Sequence, residues 1–348
     1  MAIIGGLDLH RQQITFDYLS TDTGEIRTGQ LRPATREAFR AWLAKSFQGR
    51  DDVMLAVEGC TGWRFVVEEM QRAGVEPHLA EPADTATLRG RKSRAKTDKA
   101  DARLLRELLC QKRLPESWIP PQNVLEVRTL ARLYLALMDE RRAWLQRIHA
   151  QLYHQGVPPV ASLLTFEGRK AIEAAQLSPT GRQMVETALV TIAALDQQID
   201  PLRAQLKSIG RHQPGARALM AIYGIGALCG VIIWAELGDC RRFHRSDQAV
   251  RFAGLDVTVW STDGRRPPGW LSHQGSPQLR WSLFEAAKAA ARSQSPDYDY
   301  YQKVRERKGG KNPTLSVARK LLRHCYHILR ELGDEAWAPL ALPAEKVA

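Results

Sequence analysis

The first eighty residues alternate between strand-like and helix-like patterns, and this order restricts the possible folds more than any other feature of the chain. Short apolar or alternating runs predict strands, whereas apolar residues at three- and four-residue steps predict helices. The predicted strands cover residues 2–10, 13–18, 25–31, 53–60 and 75–80, and the predicted helices cover 34–47 and 63–73. Strands that run parallel need helical crossovers between them, so the order βββαβαβ predicts a mixed sheet.

This order, followed by one more helix, is the arrangement of RNase H-like domains. The character of the sequence changes after Lys112, where Pro115, Pro120 and Pro121 mark a boundary. Beyond it, helical spacing over 123–155 and 179–210 predicts two long helices. They suggest a coiled coil, either antiparallel or between two chains, or amphipathic helices that pack on their own domain.

We therefore expect an α/β unit followed by α-helical units, which the length of 348 residues allows. The expected parts are an N-terminal RNase H-like (RuvC-like) mixed sheet with helices over 1–115, a long helical coiled-coil linker over 116–212, a mostly helical C-terminal domain over 213–335, and a tail over 336–348.

Composition favours a cytoplasmic protein. No apolar run is long enough to span a bilayer, and the first ten residues lack the basic and apolar segments of a secretory leader. The five cysteines are scattered and form no CxxC pair, which argues against a disulfide framework and against a zinc site.

Basic residues are concentrated in two regions of a chain whose net charge is +12. Residues 241–330 contain 18 Lys/Arg against 7 Asp/Glu. The second region, 89–113, contains the candidate nucleic-acid-binding residues Arg91, Lys92, Arg94, Lys96 and Lys99. A single basic run is more often a solvated surface, but two such regions beside acidic motifs favour DNA or RNA, because neutralising phosphates releases counterions.

Four acidic residues stand at the ends of apolar runs, where strands and a helix would meet. Asp8 lies in the first predicted strand and Glu58 lies late in the fourth, so their carboxylates converge if these strands are neighbours. Asp98 and Asp101 are three residues apart in KTDKADARLL and would share one face of a helix. Such oxygen ligands suit Mg²⁺ or Mn²⁺, which supports phosphodiester chemistry.

Each carboxylate also has a simpler interpretation. Asp98 could balance a helix dipole, and Asp101 could pair with Arg103 or Arg106 on the surface. Asp8 and Glu58 lie in apolar strands, and burying an unpaired carboxylate costs so much that a bound cation is the better explanation for them.

The motifs GLDLH, AVEGCTGW and KTDKADARLL resemble those of the DEDD-type insertion-sequence transposases, which are RuvC-like recombinases guided by a bridge RNA. The similarity continues through YGIGALCGVIIWAELGDCRRFHRSDQAVRFAGL and VARKLLRHCYHILREL. It covers most of the chain, and the C-terminal part is similar to the transposase domain of that family. The resemblance implies that Asp8, Glu58, Asp98 and Asp101 are catalytic and hold metal.

The resemblance also implies a catalytic serine in the loop after FAGL. Ser261 stands at the expected place, although Thr262 replaces the usual glycine, so Ser272 and Ser276 stay open as alternatives. The positive charge that a pentacoordinate phosphate needs could come from Arg265, Arg266 and Arg280.

The activity that follows from the resemblance is DNA strand exchange by a homo-oligomer, a dimer or tetramer, with donor and target DNA and a structured guide RNA as partners. Two other functions stay open. A plain RuvC-like structure-selective endonuclease would need the four carboxylates but no serine, and a noncatalytic nucleic-acid-binding protein with a degenerate nuclease fold would need neither.

Overall fold

The computed structural model describes residues 2–88, 97–257, 271–272 and 275–339, and the chain divides into two units. The first unit is Met1–Ile119 and the second is Pro120–Ala348. The expected division into three parts and a tail stays a prediction.

A five-stranded mixed sheet forms the centre of the first unit. Its strands are β1 (Ile3–Leu9), β2 (Ile14–Ser20), β3 (Ile26–Leu31), β4 (Val53–Glu58) and β5 (Glu76–Ala80). Their order is β3-β2-β1-β4-β5, with β1 antiparallel to β2 and parallel to β4, and β4 parallel to β5. The predicted mixed α/β sheet is confirmed, and its order is consistent with an RNase H-like domain. Strand β1 is central and therefore has a hydrogen-bonded neighbour along each edge.

The helices of this unit lie on the two faces of the sheet. They are α1 (Arg36–Phe47), α2 (Trp63–Arg72), α3 (Pro82–Thr87) and α4 (Asp98–Cys110). Apolar residues of α1 and α2 join Leu7, Leu55 and Val57 in the larger core. Leu105 and Leu109 of α4 join Ile4 and Ala56 in a smaller cluster. Because side chains alternate along β1, the residues at positions 4, 6 and 8 face α4.

Helix α4 passes directly over β1 because β1 has glycine at the crossing point. A Cβ atom at Gly6 would lie 2.1 Å from the carbonyl oxygen of Ala102 and 2.7 Å from the backbone nitrogen of Arg106. No side chain fits there. The glycine thus sets how closely the helix approaches the strand.

A buried ion pair also links α4 to the sheet. The guanidinium of Arg106 donates a short hydrogen bond to Asp17 of β2, and both side chains are almost fully buried. Removing one partner of such a pair leaves a buried charge unpaired, which is strongly destabilising. The pair therefore fixes α4 at one position along β2.

Helices α1 and α2 are joined by a cluster of arginines around one carboxylate. Glu69 of α2 is buried, and its two oxygens accept hydrogen bonds of 2.7 Å from Arg36 Nη1 and Arg40 Nε of α1. Arg72 donates a further hydrogen bond to it from within α2. The three guanidiniums compensate the burial of the negative charge.

The described residues of the second unit form helices, together with one isolated antiparallel bridge between Val257 and Leu271. The α-helices are α5 (Gln122–His154), α6 (Phe166–Ala174), α7 (Pro179–His212), α8 (Pro214–Leu219), α9 (Ala227–Leu237), α10 (Ser246–Phe252), α11 (Pro277–Ala287), α12 (Tyr298–Lys308) and α13 (Asn312–Leu332). Helix α6 lies in residues 156–177, whose irregular sequence pattern predicts neither a helix nor a strand. No described helix is both long and apolar enough to cross a bilayer.

The two long predicted helices are α5 and α7, and they run antiparallel to each other. Arg141 of α5 pairs with Asp196 of α7 at 2.5 Å, whereas Gln155 at the end of α5 donates to Ser178 at the start of α7. The contacting residues have decreasing numbers in α7 where they have increasing numbers in α5, so the two helices are antiparallel. Coiled-coil packing of these helices stays a prediction.

Candidate metal centre

The first two predicted ligands lie on neighbouring strands of the sheet. Strands β1 and β4 are parallel and adjacent, with Leu7 opposite Val57, so Asp8 and Glu58 follow at the same level. Asp8 is buried and Glu58 is half-buried. Both occupy the carboxyl-terminal end of their strands, where side chains of adjacent parallel strands meet at one edge. The expected convergence therefore rests on an observed strand pairing.

The other two predicted ligands lie in the first turn of α4. Thr97 is the N-cap of this helix, because its hydroxyl accepts a hydrogen bond of 3.2 Å from the backbone nitrogen of Ala100. The cap starts the helix at Asp98 and places Asp98 and Asp101 on one face. The close crossing at Gly6 then holds this turn over the end of β1.

All four predicted carboxylates line one pocket of about 910 Å³, which also includes His10 and Cys60. Two strands and one helix, which are distant in the sequence, thus contribute oxygen atoms to a single open cavity. The pocket is large enough for a phosphate group and its surroundings as well as for cations.

His10 lies between two of the carboxylates. Its Nε2 atom is 3.1 Å from Asp8 Oδ2 and 3.3 Å from Asp98 Oδ1. Ligand atoms of these three residues all lie within 4.8 Å of one another. Glu58 and Asp101 line the same pocket outside this closest group.

The carboxyl of Asp8 is buried close to other negative charges. Burial raises the pKa of its carboxyl from 3.8 to about 6, His10 lowers the pKa, and the negative charges of Asp98 and Asp101 raise it further. Its Oδ2 atom is buried and accepts no hydrogen bond of standard geometry, although His10 is near. A buried carboxylate oxygen without a hydrogen bond is expensive, and a divalent cation would relieve that cost. The residues present therefore fit a metal ion.

Two consecutive hydrogen bonds, from Arg32 to Gln13 and from Gln13 to Asp98, orient the Asp98 carboxylate. Gln13 Nε2 donates a hydrogen bond of 2.7 Å to Asp98 Oδ2. Arg32 Nε donates to Gln13 Oε1 at 2.8 Å, which fixes the amide so that its nitrogen faces Asp98. Oδ2 is thus occupied, and Oδ1 is the oxygen that lies near His10.

Sequence reasoning missed His10, Gln13 and Arg32. The signal for His10 was available, since GLDLH places it two residues after Asp8 on the same side of the strand. Gln13 reaches the site because a tight connection, with His10 N donating to Gln13 O at 2.9 Å, turns the chain from β1 into β2. Of the two arginines suggested as partners of Asp101, Arg106 forms a buried ion pair with Asp17, and the pairing of Asp101 stays a prediction.

Several predicted residues lie outside the part of the chain that the structure describes. These are Arg91, Lys92, Arg94, Lys96, Ser261, Arg265 and Arg266. Lys99 is exposed on α4. Arg280 is half-buried and its Nη1 atom donates to the carbonyl oxygens of Ala253 and Gly275 at 3.2 and 3.1 Å.

The two alternative serines have structural partners. Ser272 Oγ donates a short hydrogen bond to Asp256 Oδ1. Ser276 caps α11, since its Oγ accepts a hydrogen bond of 3.2 Å from the backbone nitrogen of Leu279. The Ser276 hydroxyl therefore caps a helix, and the Ser272 hydroxyl is bound to a carboxylate.

Comparisons with known proteins agree with this geometry. Residues 5–155 match a family model described as a transposase of the DEDD type found in IS110, and residues 216–302 match the transposase IS116/IS110/IS902 family. The first match contains all four carboxylates of the pocket.

Individual relatives lead to the same group. The chain is 30% identical over 259 residues to the protein y4rJ of Sinorhizobium fredii, covering 68% of this chain and 64% of y4rJ. It is 24% identical over 203 residues to the transposase for insertion sequence element IS1111A of Coxiella burnetii, covering 56% of each. A probable family 20 transposase of Pseudomonas aeruginosa is 24% identical over 296 residues, which cover 82% of this chain and 83% of the relative.

The chain thus spans less than two thirds of the first two relatives. Its family matches nevertheless lie in both units, and the DEDD match coincides with a strand order and a carboxylate pocket that were found independently. On these grounds the chain belongs to the DEDD-type insertion-sequence transposases.

Proposed function

We propose that this protein cuts and rejoins DNA during transposition of an insertion sequence, using the carboxylate pocket together with a serine nucleophile. The observation that carries the proposal is the meeting of Asp8, Glu58, Asp98 and Asp101 around one pocket in a chain of net charge +12. Four acidic groups repel one another and a DNA phosphate, so their convergence in a basic protein is explained by cations bound between them.

The four carboxylates would hold Mg²⁺ or Mn²⁺. A divalent ion bound there supplies Lewis-acid stabilisation of negative charge at a scissile phosphate. The chain's own contribution is positional: β1 and β4 hold Asp8 and Glu58 at one level, and α4 holds the two aspartates of its first turn opposite them.

Ser261 is the proposed nucleophile. Its hydroxyl oxygen would bond to the phosphorus of a DNA phosphodiester as its proton leaves to a base, and the bond to one deoxyribose oxygen would break to release a DNA hydroxyl. Attack by another DNA hydroxyl on the serine phosphodiester would restore the serine and join new strands. The family resemblance supports this role. The hydrogen bonds of the two alternative serines support it as well, because Ser272 is bound to Asp256 and Ser276 caps α11.

We propose two nucleic-acid partners, the DNA substrate and a guide RNA. The charge excess of residues 241–330 and the basic run around Lys99 supply the electrostatic attraction that DNA and a structured bridge RNA need. A homo-oligomer, a dimer or tetramer, is proposed because each recombination event handles several DNA strands.

The test uses the full-length protein, expressed with a plasmid that carries its own element and flanking DNA. Wild type should excise or move the element, and RNA that co-purifies should contain sequence from that element. Asp8→Asn should abolish recombination, whereas Asp51→Asn, an exposed acid of the same unit, should not. Full recombination by Asp8→Asn would contradict the proposal.

Denaturing gels of the same reactions separate the serine mechanism from a plain endonuclease. A protein–DNA adduct should form with wild type, Ser272→Ala and Ser276→Ala, and should be missing with Ser261→Ala. Cleavage by Ser261→Ala without an adduct would favour the structure-selective endonuclease instead.

A further inference from the structure

We infer that His10 is itself a metal ligand, so that one ion of this site is held by Asp8, Asp98 and an imidazole nitrogen, and that this donor set favours Mn²⁺ over Mg²⁺. The inference rests on the proposed function, since it assumes that divalent ions bind in this pocket. It goes beyond the four carboxylates by adding a nitrogen donor and by naming the class of ion.

The distances around His10 Nε2 match those between ligands of one ion. Two ligands about 2.1 Å from a metal on adjacent corners of an octahedron lie about 3.0 Å apart. His10 Nε2 lies 3.1 Å from Asp8 Oδ2 and 3.3 Å from Asp98 Oδ1. The three atoms, all within 4.8 Å of one another, are thus close enough to bind one ion.

The two carboxylates present the right oxygens. Asp8 Oδ2 is buried within a residue that is only 9% exposed, and it accepts no hydrogen bond of standard geometry. Asp98 Oδ2 is occupied by Gln13, which leaves Oδ1 for a ligand. A buried oxygen without a hydrogen bond of standard geometry and the free oxygen of Asp98 therefore lie beside the same imidazole.

The fold does not depend on the His10 ring, so the ring is free to bind a ligand. Its side chain is 54% exposed, and it lies in the connection between β1 and β2, where its backbone nitrogen rather than its ring holds the turn. A histidine that served only packing would be more deeply buried than this one.

Imidazole changes which ion is preferred. Carboxylate and water oxygens suit Mg²⁺, Ca²⁺ and Mn²⁺, whereas imidazole nitrogen suits the transition metals. Mn²⁺ belongs to both groups. A site with two carboxylate oxygens and one imidazole therefore binds Mn²⁺ more tightly, relative to Mg²⁺, than the same site without the imidazole.

The experiment titrates Mn²⁺ into the full-length protein and follows binding by electron paramagnetic resonance. Pulsed spectra of the bound ion should show ¹⁴N coupling in wild type. The coupling should disappear in His10→Gln and persist in His78→Gln, a control in the same unit whose ring pairs with Glu116. His10→Gln should also lose about tenfold or more in Mn²⁺ affinity, with a smaller loss for Mg²⁺ measured by competition.

Circular dichroism and thermal melting of both histidine variants confirm that they are folded. Saturable Mn²⁺ binding that Asp8→Asn removes, but without ¹⁴N coupling in wild type, would overturn the role of His10 and leave the carboxylate site intact. Coupling that survives His10→Gln would also overturn it. The absence of saturable Mn²⁺ binding in wild type would overturn both the ligand assignment and the proposed metal-dependent function.

Discussion

Gly6 of β1 and Ala102 of α4 approach so closely that a Cβ atom on Gly6 would lie 2.1 Å from the Ala102 carbonyl oxygen. This contact determines how near the first turn of α4 comes to the end of β1. Asp98 and Asp101 lie in that turn, and Asp8 lies two residues after Gly6. The distance between the two halves of the carboxylate pocket therefore depends on the absence of one methyl group.

Gly6→Ala should separate α4 from the sheet and weaken the site. The added methyl group meets backbone atoms that cannot rotate away, and overpacking of this kind costs about 1–3 kcal/mol. We expect a lower free energy of unfolding in urea and a loss of Mn²⁺ affinity. Gly226→Ala is the matched control, because a Cβ there meets no atom within 4 Å. Wild-type stability and wild-type Mn²⁺ binding in Gly6→Ala would show that α4 does not need the close crossing.

Asp8→Asn should stabilise the metal-free protein. Burial opposes the charged carboxylate, as the raised pKa of about 6 indicates, and the neutral amide avoids both this cost and repulsion from Asp98. We expect a gain of about 1–2 kcal/mol in the free energy of unfolding in EDTA at pH 8.

Addition of Mg²⁺ or Mn²⁺ should then stabilise wild type and leave Asp8→Asn unchanged, because only wild type binds the ion. Asp51→Asn, on an exposed side chain, should respond to metal as wild type does. A destabilised Asp8→Asn variant in EDTA would mean that the carboxylate has a structural partner in the metal-free state.

Glu69 should make the protein sensitive to acid. The pKa of Glu69 is lowered to about 2, mainly by the hydrogen bond from Arg40. Burial acts in the opposite direction and raises the pKa, whereas the hydrogen bond from Arg36 lowers it further. Because the folded-state pKa lies below the unfolded value of about 4.5, the stabilisation is fully present above pH 4.5. It is lost as the pH falls from there towards 2.

Glu69→Gln should therefore lower the free energy of unfolding by up to about 3 kcal/mol at pH 7, and the difference from wild type should shrink as the pH falls below 4.5. Urea unfolding at several pH values measures this difference. Glu186→Gln, an exposed residue of α7, is the control and should match wild type throughout. A constant difference between Glu69→Gln and wild type from pH 7 to pH 3 would contradict the assignment.

Gln13→Leu should reduce divalent-ion affinity without unfolding the sheet. It removes the donor to Asp98 Oδ2 and the acceptor for Arg32, so the Asp98 carboxylate can rotate. Loss of such an outer partner costs about 10–100-fold in metal affinity. Isothermal titration with Mn²⁺ measures the change.

Gln30→Leu is the control for this substitution, since Gln30 also accepts a hydrogen bond from Arg32, at 3.3 Å. It should retain wild-type affinity. Equal affinity of Gln13→Leu and Gln30→Leu for Mn²⁺ would show that Asp98 does not need its outer hydrogen bond.

The sequence by itself predicted the five strands of the first unit, three of its four helices and the four carboxylates of the pocket, but not α3. These features depend on local periodicity and on the cost of placing charge in apolar strands, both of which can be read along the chain. The sequence predicts that Asp8 and Glu58 converge only if their strands are neighbours, and the parallel pairing of β1 with β4 meets that condition. The same reasoning had no pattern to use for α6, whose boundaries depend on packing against α5 and α7.

Only the tertiary structure decided which groups surround the carboxylates. His10 reaches both Asp8 and Asp98, and Gln13 selects one oxygen of Asp98, because a strand crossing and a tight turn bring together atoms up to ninety residues apart. Arg106, close to Asp101 in sequence, forms a buried ion pair with Asp17 on the sheet. Periodicity assigns a side chain to a face, but the partner of a polar atom depends on distances of a few tenths of an ångström, and those are set only when helix and strand pack together.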